Sequence, residues 1–156
     1  MKLYFSYGLE EREGFVTANP EDLSFYENES IEEIQGQDVL EKVPDLIYFI
    51  DECYRILKPG SKCVFSSQHF ANSGAWRSPL TKRGISEQSL NFASKEWREQ
   101  FKFTEAEVSA DFEVLGSFAI EQDVLQRNEE TRAFWMRRYL NIANCVFFTL
   151  NKKEKE

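Results

Sequence analysis

An α/β fold built on parallel strands is what this sequence predicts, and three observations carry the prediction. Residues 31–35, 45–58 and 62–67 read in order as strand, helix and strand within about 35 residues, and a helical crossover of that length joins parallel neighbours. Two more short strand patterns precede them, at residues 2–8 and 14–19. The chain of 156 residues, 42% hydrophobic and 29% charged, has the size and composition of one domain with a real core.

The elements follow in order. "KLYFSYG" and "GFVTAN" are rich in aromatic or β-branched residues and bounded by turn formers, and Pro20 ends the second because it cannot donate to a ladder. Residues 20–30 are polar and turn-rich, and a short strand follows near residues 31–35. The clearest helix is "PDLIYFIDECYRILKPG": Leu46, Ile47, Phe49, Ile50, Cys53, Tyr54, Ile56 and Leu57 recur at three- and four-residue spacing, which makes one wide apolar face. Asp45 caps its start, and Lys58, Pro59 and Gly60 mark its end. "KCVFSS" then reads as a buried strand.

Residues 67–84 form a polar loop holding the chain's only histidine, His69, with Trp76, Pro79, Lys82 and Arg83. A connection of that length with aromatic residues predicts a lid over a site. Ser86 is placed to cap a helix running to about Arg98. "DFEVLGSFAIEQD" and "NCVFFTLNK" read as strands on either side of the helical "EETRAFWMRRYL", whose Phe134, Trp135, Tyr139 and Leu140 are expected to face the core. Residues 1–150 make the domain and 151–156 a flexible tail.

Composition also excludes. A formal net charge of -8 repels a phosphate backbone at long range and argues against general nucleic-acid binding. Lys82 with Arg83, and Arg132 with Arg137 and Arg138, read as solvated or helix-end charges. No apolar run reaches a membrane span and no basic-then-apolar leader opens the chain, so a cytoplasmic protein is expected. Cys53, Cys63 and Cys145 are three, scattered and set in apolar patterns, which predicts buried free thiols and no disulfide framework. One histidine and scattered cysteines make a transition-metal site improbable. Neither a phosphate-binding glycine loop nor a hydrolase or zinc-peptidase motif occurs.

Taken alone, the turn after the first strand, Ser6, Tyr7 and Gly8, has one glycine where a cofactor-cradling loop usually has two or three. Asp38 and Glu41 lie near the carboxyl end of the strand before the main helix, where open α/β sheets bind ligands. Asp38 is a candidate contact to a cofactor or an acceptor amine, and Glu41 reads as a structural carboxylate. His69 is the candidate base, because its ordinary pKa lies near neutrality; a loop histidine is also commonly structural.

Residues 38–70, "DVLEKVPDLIYFIDECYRILKPGSKCVFSSQHF", resemble the middle of class I methyltransferases that use S-adenosylmethionine, in their small type 11 branch. Val39-Leu40-Glu41, Pro44-Asp45 and Arg55-Ile56-Leu57-Lys58-Pro59-Gly60 carry the resemblance. "HFANSGAWRSPLTKR" is similar to the loop of one subgroup, and "LYFSYGLEEREGFVTAN" to the family's opening strand, cofactor turn and second strand.

The resemblance implies a reduced Rossmann-like methyltransferase sheet, mostly parallel with an antiparallel C-terminal strand pair and helices on both faces. It implies S-adenosylmethionine as cofactor, held by Ser6, Tyr7, Gly8, Asn19, Asp22 and Asp38, and an unidentified methyl acceptor. Departures weaken that implication. Ser6 and Tyr7 replace the family's first glycine and the middle residue of the turn, Asn19 replaces the acid that grips the ribose, and residues 19–31 are too few for the usual third strand. Lys42 and Thr81 replace two histidines of the family pattern. Two functions stay open: a methyltransferase, or a catalytically silent interaction or subunit-binding module. A shortened sheet leaves an edge or flank uncovered, so a homodimer is expected under either.

Overall fold

A computed structural model describes residues 1–8 and 10–154. Six strands, β1 (Lys2–Phe5), β2 (Val16–Ala18), β3 (Ile31–Gln37), β4 (Leu57–Gln68), β5 (Phe112–Ile120) and β6 (Ala143–Lys152), form one sheet in the order β2-β1-β3-β4-β6-β5. β2, β1, β3 and β4 pair in parallel, and β6 runs antiparallel to both β4 and β5. The helices are α1 (Leu46–Ile56), α2 (Lys95–Phe101), α3 (Gln122–Leu125) and α4 (Glu129–Arg138). The expected fold class holds.

Alternation of side chains sets the core. Leu3 and Phe5, Ile34, Cys63 and Phe65, and Val146, Phe148 and Leu150 are buried on one face of the sheet, as the two-residue period of a strand dictates. α1 lies on that face. Asp45 caps it by accepting the Tyr48 amide proton at 2.9 Å, and Phe49, Ile50, Cys53 and Ile56 are its buried stripe. The helix stops at Ile56, earlier than the Lys58-Pro59-Gly60 signal suggested, because Leu57 already takes extended backbone and pairs with Ile31 at the start of β4.

The N-terminal half is trimmed. β1 and β2 are parallel neighbours, yet among the described residues no helix lies between them. Tyr4 donates to Glu10 Oε2 at 3.0 Å, Thr17 Oγ1 donates to the Glu10 carbonyl at 3.1 Å, and the Arg12 guanidinium lies 5.7 Å from the Tyr4 ring, so the short connection folds against Tyr4. Among the described residues no strand lies beyond β2; residues 19–30 are turns tied down by Arg55, which donates to the carbonyls of Leu23 at 3.0 Å and Tyr26 at 2.8 Å. The question of a merged or missing third strand thus resolves as a missing one.

Four expectations need correction. The helix expected from Ser86 is a short 3-10 turn (Asn91–Ala93) followed by α2, which Ser94 caps through the Trp97 amide at 3.3 Å. α4 forms where expected but buries no residue; Phe134, Tyr139 and Leu140 are exposed, because the helix has no apolar stripe. Cys53 and Cys63 are buried as expected, whereas Cys145 is only half-buried, on the less covered face of the sheet. The tail begins later than residue 151: Asn151 and Lys152 complete β6, and residues 155–156 lie outside the described residues.

Lys152 shows why the strand continues. Its ammonium is buried and donates to the carbonyls of Tyr54 and Leu57, each at 2.8 Å, with Glu29 Oε1 at 3.7 Å. Those carbonyls end α1, where a cation is favoured. Replacing Lys152→Met leaves them buried without this donor and is expected to cost about 2–4 kcal/mol of stability, read as a lowered urea midpoint.

Candidate functional site

The carboxyl ends of β1–β4 carry two adjoining hollows. The first, about 320 Å3, is lined by Ser6, Tyr7, Gly8, Thr17, Ala18 and Asn19. The second, about 220 Å3, is lined by Asp38, Glu41, Lys42, Gln68, Arg77 and Thr81, among others. Tyr7 and Lys42 stand between them, with the Lys42 ammonium 6.0 Å from the Tyr7 ring centre.

The first hollow is built from two strand ends that parallel pairing brings level, Phe5 beside Ala18. Ser6 Oγ accepts the Gly8 amide proton at 3.0 Å and closes the turn. A side chain at Gly8 would have room, its nearest neighbour being Ser6 Oγ at 3.7 Å, so the turn is open toward solvent at that point. Asn19 Oδ1 accepts the Glu21 amide proton at 3.0 Å. Tyr7 donates to Glu21 Oε1 at 3.0 Å; burial first, and then this carboxylate, push its pKa up, so the hydroxyl keeps its proton and remains a donor.

The second hollow depends on a strained turn. Asp38 has φ +52° and donates its amide proton to the Ser66 carbonyl at 2.9 Å. An aspartate tolerates this left-handed region better than most residues do. Glu41 is buried and accepts the Ser67 hydroxyl proton at 2.9 Å. Burial holds its carboxyl above the usual carboxylate range, against the lowering effect of its hydrogen bonds.

The roof over this hollow is clamped. Arg83 donates to the carbonyls of Leu40 (2.8 Å), Val43 (2.7 Å) and Pro44 (3.0 Å), and the Lys82 amide donates to the Glu41 carbonyl at 2.8 Å. Arg83 therefore is not the solvated charge that its neighbour Lys82 suggested. Its role had no signature in the sequence, since its acceptors lie some forty residues upstream.

Ser6, Tyr7, Gly8 and Asn19 thus come together, and Asp38 stands across Tyr7 from them. Asp22 and His69 do not join either lining. Asp22 Oδ1 accepts from the Ser24 amide and hydroxyl at 3.3 and 2.7 Å, which commits it to its own turn. His69 is buried between Phe70 and Phe118, ring centres at 4.5 and 6.1 Å. Its Nδ1 accepts the Ala71 amide proton at 3.1 Å, and Nε2 lies 3.6 Å from Glu87 Oε2. Sequence reasoning passed over Lys42, Gln68 and Arg77 as site residues, and only proximity in the fold reveals them.

Residues 6–65 match the family model described as a methyltransferase domain. No curated protein matches the chain in sequence. Among solved structures, an S-adenosylmethionine-dependent methyltransferase of Archaeoglobus fulgidus superposes with a TM-score of 0.58 at 15% identity, over 89% of this chain and 68% of that one. The YcgJ protein of Bacillus subtilis gives 0.53 at 14% identity, over 90% and 71%. The cyclase SpnF gives 0.53 at 15%, over 90% of this chain and 56% of its own. The family match spans 60 of the chain's 156 residues, and the superpositions show that the chain has the fold of S-adenosylmethionine-dependent methyltransferases. The chain covers roughly two thirds of the length of the first two neighbours.

His69 provides a clean check on this geometry, being the chain's only imidazole. Burial, opposed by Glu87, holds its pKa below the ordinary 6.5. Its proton resonance is expected to titrate with a midpoint under that value. Because the folded pKa lies below the unfolded one, the stabilisation is complete above 6.5 and lost as pH falls through the folded value. His69→Gln should flatten that acid limb of the stability curve.

Proposed function

We propose that this chain is an S-adenosylmethionine-dependent methyltransferase acting on a small molecule or a protein side chain. The observation that carries this reading is the pair of hollows at the carboxyl ends of the parallel strands, the first lined wholly by the segment that matches the methyltransferase domain and the second by Asp38, Glu41 and Lys42 of that segment with residues 68–81 beyond it. A hollow of about 320 Å3 suits the nucleoside part of a ligand, and the bare Cα of Gly8 leaves space for it to lie against the turn. In this reading Ser6, Tyr7 and Gly8 bear on the cofactor, and Asn19 offers its amide to the ribose. S-adenosylmethionine supplies a methyl group on a sulfonium whose leaving group is already activated.

The chain's own task is then mainly positioning, which is worth about 7–11 kcal/mol in well-oriented systems. Asp38 and Glu41 face the second hollow and can orient an amine or hydroxyl acceptor. Glu41, with its raised pKa, is better placed than the enclosed His69 to take the acceptor's proton. Lys42 and Arg77 favour an acceptor that also bears an anionic group.

The second reading, a silent interaction module, rests on its own observation. Ser6 Oγ, Asn19 Oδ1 and the Tyr7 hydroxyl, all of which a ligand would use, are already bonded within the chain. Titration with S-adenosylmethionine and S-adenosylhomocysteine separates the two. A ligand at 100 times its dissociation constant adds about 2.7 kcal/mol of stability, seen as a raised Tm; no response to either at millimolar concentration decides for the module.

The placement of the site has a sharper test. Asn19→Asp restores a carboxylate and is expected to tighten cofactor binding about tenfold, the worth of one charge-assisted over one neutral hydrogen bond. Gly8→Phe should abolish binding while leaving the Tm of the free protein nearly unchanged, because its side chain meets no close neighbour in the fold.

A further inference from the structure

Charge is sorted unevenly along this chain. Residues 69–86 hold Arg77, Lys82 and Arg83, residues 131–146 hold Arg132, Arg137 and Arg138, and neither stretch contains an acid, although the chain has 27 acidic residues among its 156. The two stretches are distant in sequence but joined in the fold. Asn141 donates its amide proton to the Ala71 carbonyl at 2.8 Å and accepts that of Ser73 on Oδ1 at 2.7 Å, and the His69 amide donates to the Asn144 carbonyl at 2.9 Å.

Strand direction explains where this seam falls. β6 is antiparallel to both β4 and β5, so β5 runs the same way as β1–β4 and ends on the side of the sheet where the hollows open. α3 and α4 leave from that end of β5 and lead back to the start of β6. The first stretch roofs the second hollow, and Arg77 is in its lining. Arg83 is committed to three carbonyls. The other five cations enter no ion pair among the described residues. A helix end accounts for Arg137 and Arg138, but Arg77 and Lys82 lie outside any α-helix. Trp76, Leu80, Phe134, Tyr139 and Leu140 are exposed on the same two stretches.

We infer that the partner docking at this end of the molecule is an acidic polypeptide segment and, resting on the methyltransferase reading, that this segment is the acceptor: its carboxylates lie on the cationic surface and one amine-bearing side chain enters the second hollow. That hollow, about 220 Å3, is smaller than the roughly 300–1,000 Å3 of pockets that enclose a whole small ligand. It has room for one side chain, and Asp38 and Glu41 in its lining suit an amine. Whatever that side chain is attached to rests outside, on the arginines and aromatic rings. An ammonium in the hollow first gives a proton to Glu41; the nitrogen lone pair then forms the new N–C bond, and the electron pair of the broken S–C bond stays on sulfur.

Charge and shape favour this occupant. The planar fork of a guanidinium matches a carboxylate with two parallel hydrogen bonds, and Trp, Tyr and Arg are the residues that carry most of the energy of protein interfaces. Nucleic acid fits less well. Its charge continues past the patch onto a chain of net charge -8, and Arg138 already lies over the Phe134 ring at 4.6 Å and Arg127 over the Trp135 ring at 5.6 Å, where bases would stack. A lipid surface calls for a helix with its apolar residues gathered on one face. α4 has no buried residue and no such stripe.

Fluorescence anisotropy, without cofactor, tests this with a labelled peptide of three glutamates, one lysine and three glutamates. The unaltered chain is expected to bind it, more weakly as salt rises, and to bind the same peptide with serines for glutamates about tenfold less well. Arg137→Ser with Arg138→Ser should weaken binding about tenfold. Lys2→Ser with Lys62→Ser, an equal loss of charge at positions level with each other across the amino-terminal side of the sheet, should change it less than twofold. If the arginine pair does not fold by circular dichroism, Lys82→Ser takes its place. Peptide affinity indifferent to these arginines, or tighter binding of an oligouridylate or of phosphatidylserine vesicles, overturns the inference. No peptide binding together with a Tm raised by S-adenosylmethionine overturns it too and leaves the methyltransferase reading standing. Peptide binding with no response to S-adenosylmethionine upholds the acidic partner and sinks the methyltransferase reading instead.

Discussion

The fold depends on one aromatic contact across the parallel crossover. Phe49 on α1 sits with its ring 5.5 Å from Phe5 on β1 and 5.7 Å from Phe65 on β4, and both partners are fully buried. This cluster fixes the helix over the strands whose carboxyl ends form the site. Between β1 and β4, Gly36 of β3 makes the room: a Cβ there would meet Val39 at 2.9 Å and Phe65 at 3.0 Å. A methyl group at this position would press on the turn that aims Asp38. Core packing and site geometry are thus one constraint, in a sheet that among the described residues has no helix between its first two strands and no strand beyond β2.

Much of this was legible because local rules and the tertiary fold agree there. Asp45 caps α1, the apolar stripe from Phe49 to Ile56 is the buried one, and β3 and β4 pair in parallel as a helical crossover requires. The turn at Ser6 to Gly8 and the strand end at Asn19 are site residues by the family resemblance, and parallel pairing does bring them to one hollow. Where local signals and packing conflict, the sequence misled. Phe134, Trp135, Tyr139 and Leu140 look like core material by composition, but no face of α4 gathers them, and no residue of α4 is buried. Lys152 looked like tail, yet the carbonyls that end α1 draw it into the interior.

The candidate site divides the same way. Backbone-borne positions, at the ends of strands, were found; side chains that reach the site from distant segments were not. Arg77 and Gln68 arrive through a loop whose path no periodicity describes. His69 shows the reverse error. An imidazole in a long loop reads as a free base, whereas Phe70, Phe118 and the Ala71 amide enclose it. What a histidine does depends on its neighbours, and those come from β5 and from the turn after β4.

The three carbonyls held by Arg83 bear on how far the segment above the second hollow can move. A guanidinium donating to Leu40, Val43 and Pro44 ties the long segment after β4 to the turn that leads into α1, and each bond to a charged donor is worth about 1.5–3 kcal/mol. Swinging that segment aside as a whole would break all three at once. It is consequently a fixed ceiling over the second hollow, on whose outer side Trp76 and Leu80 are exposed.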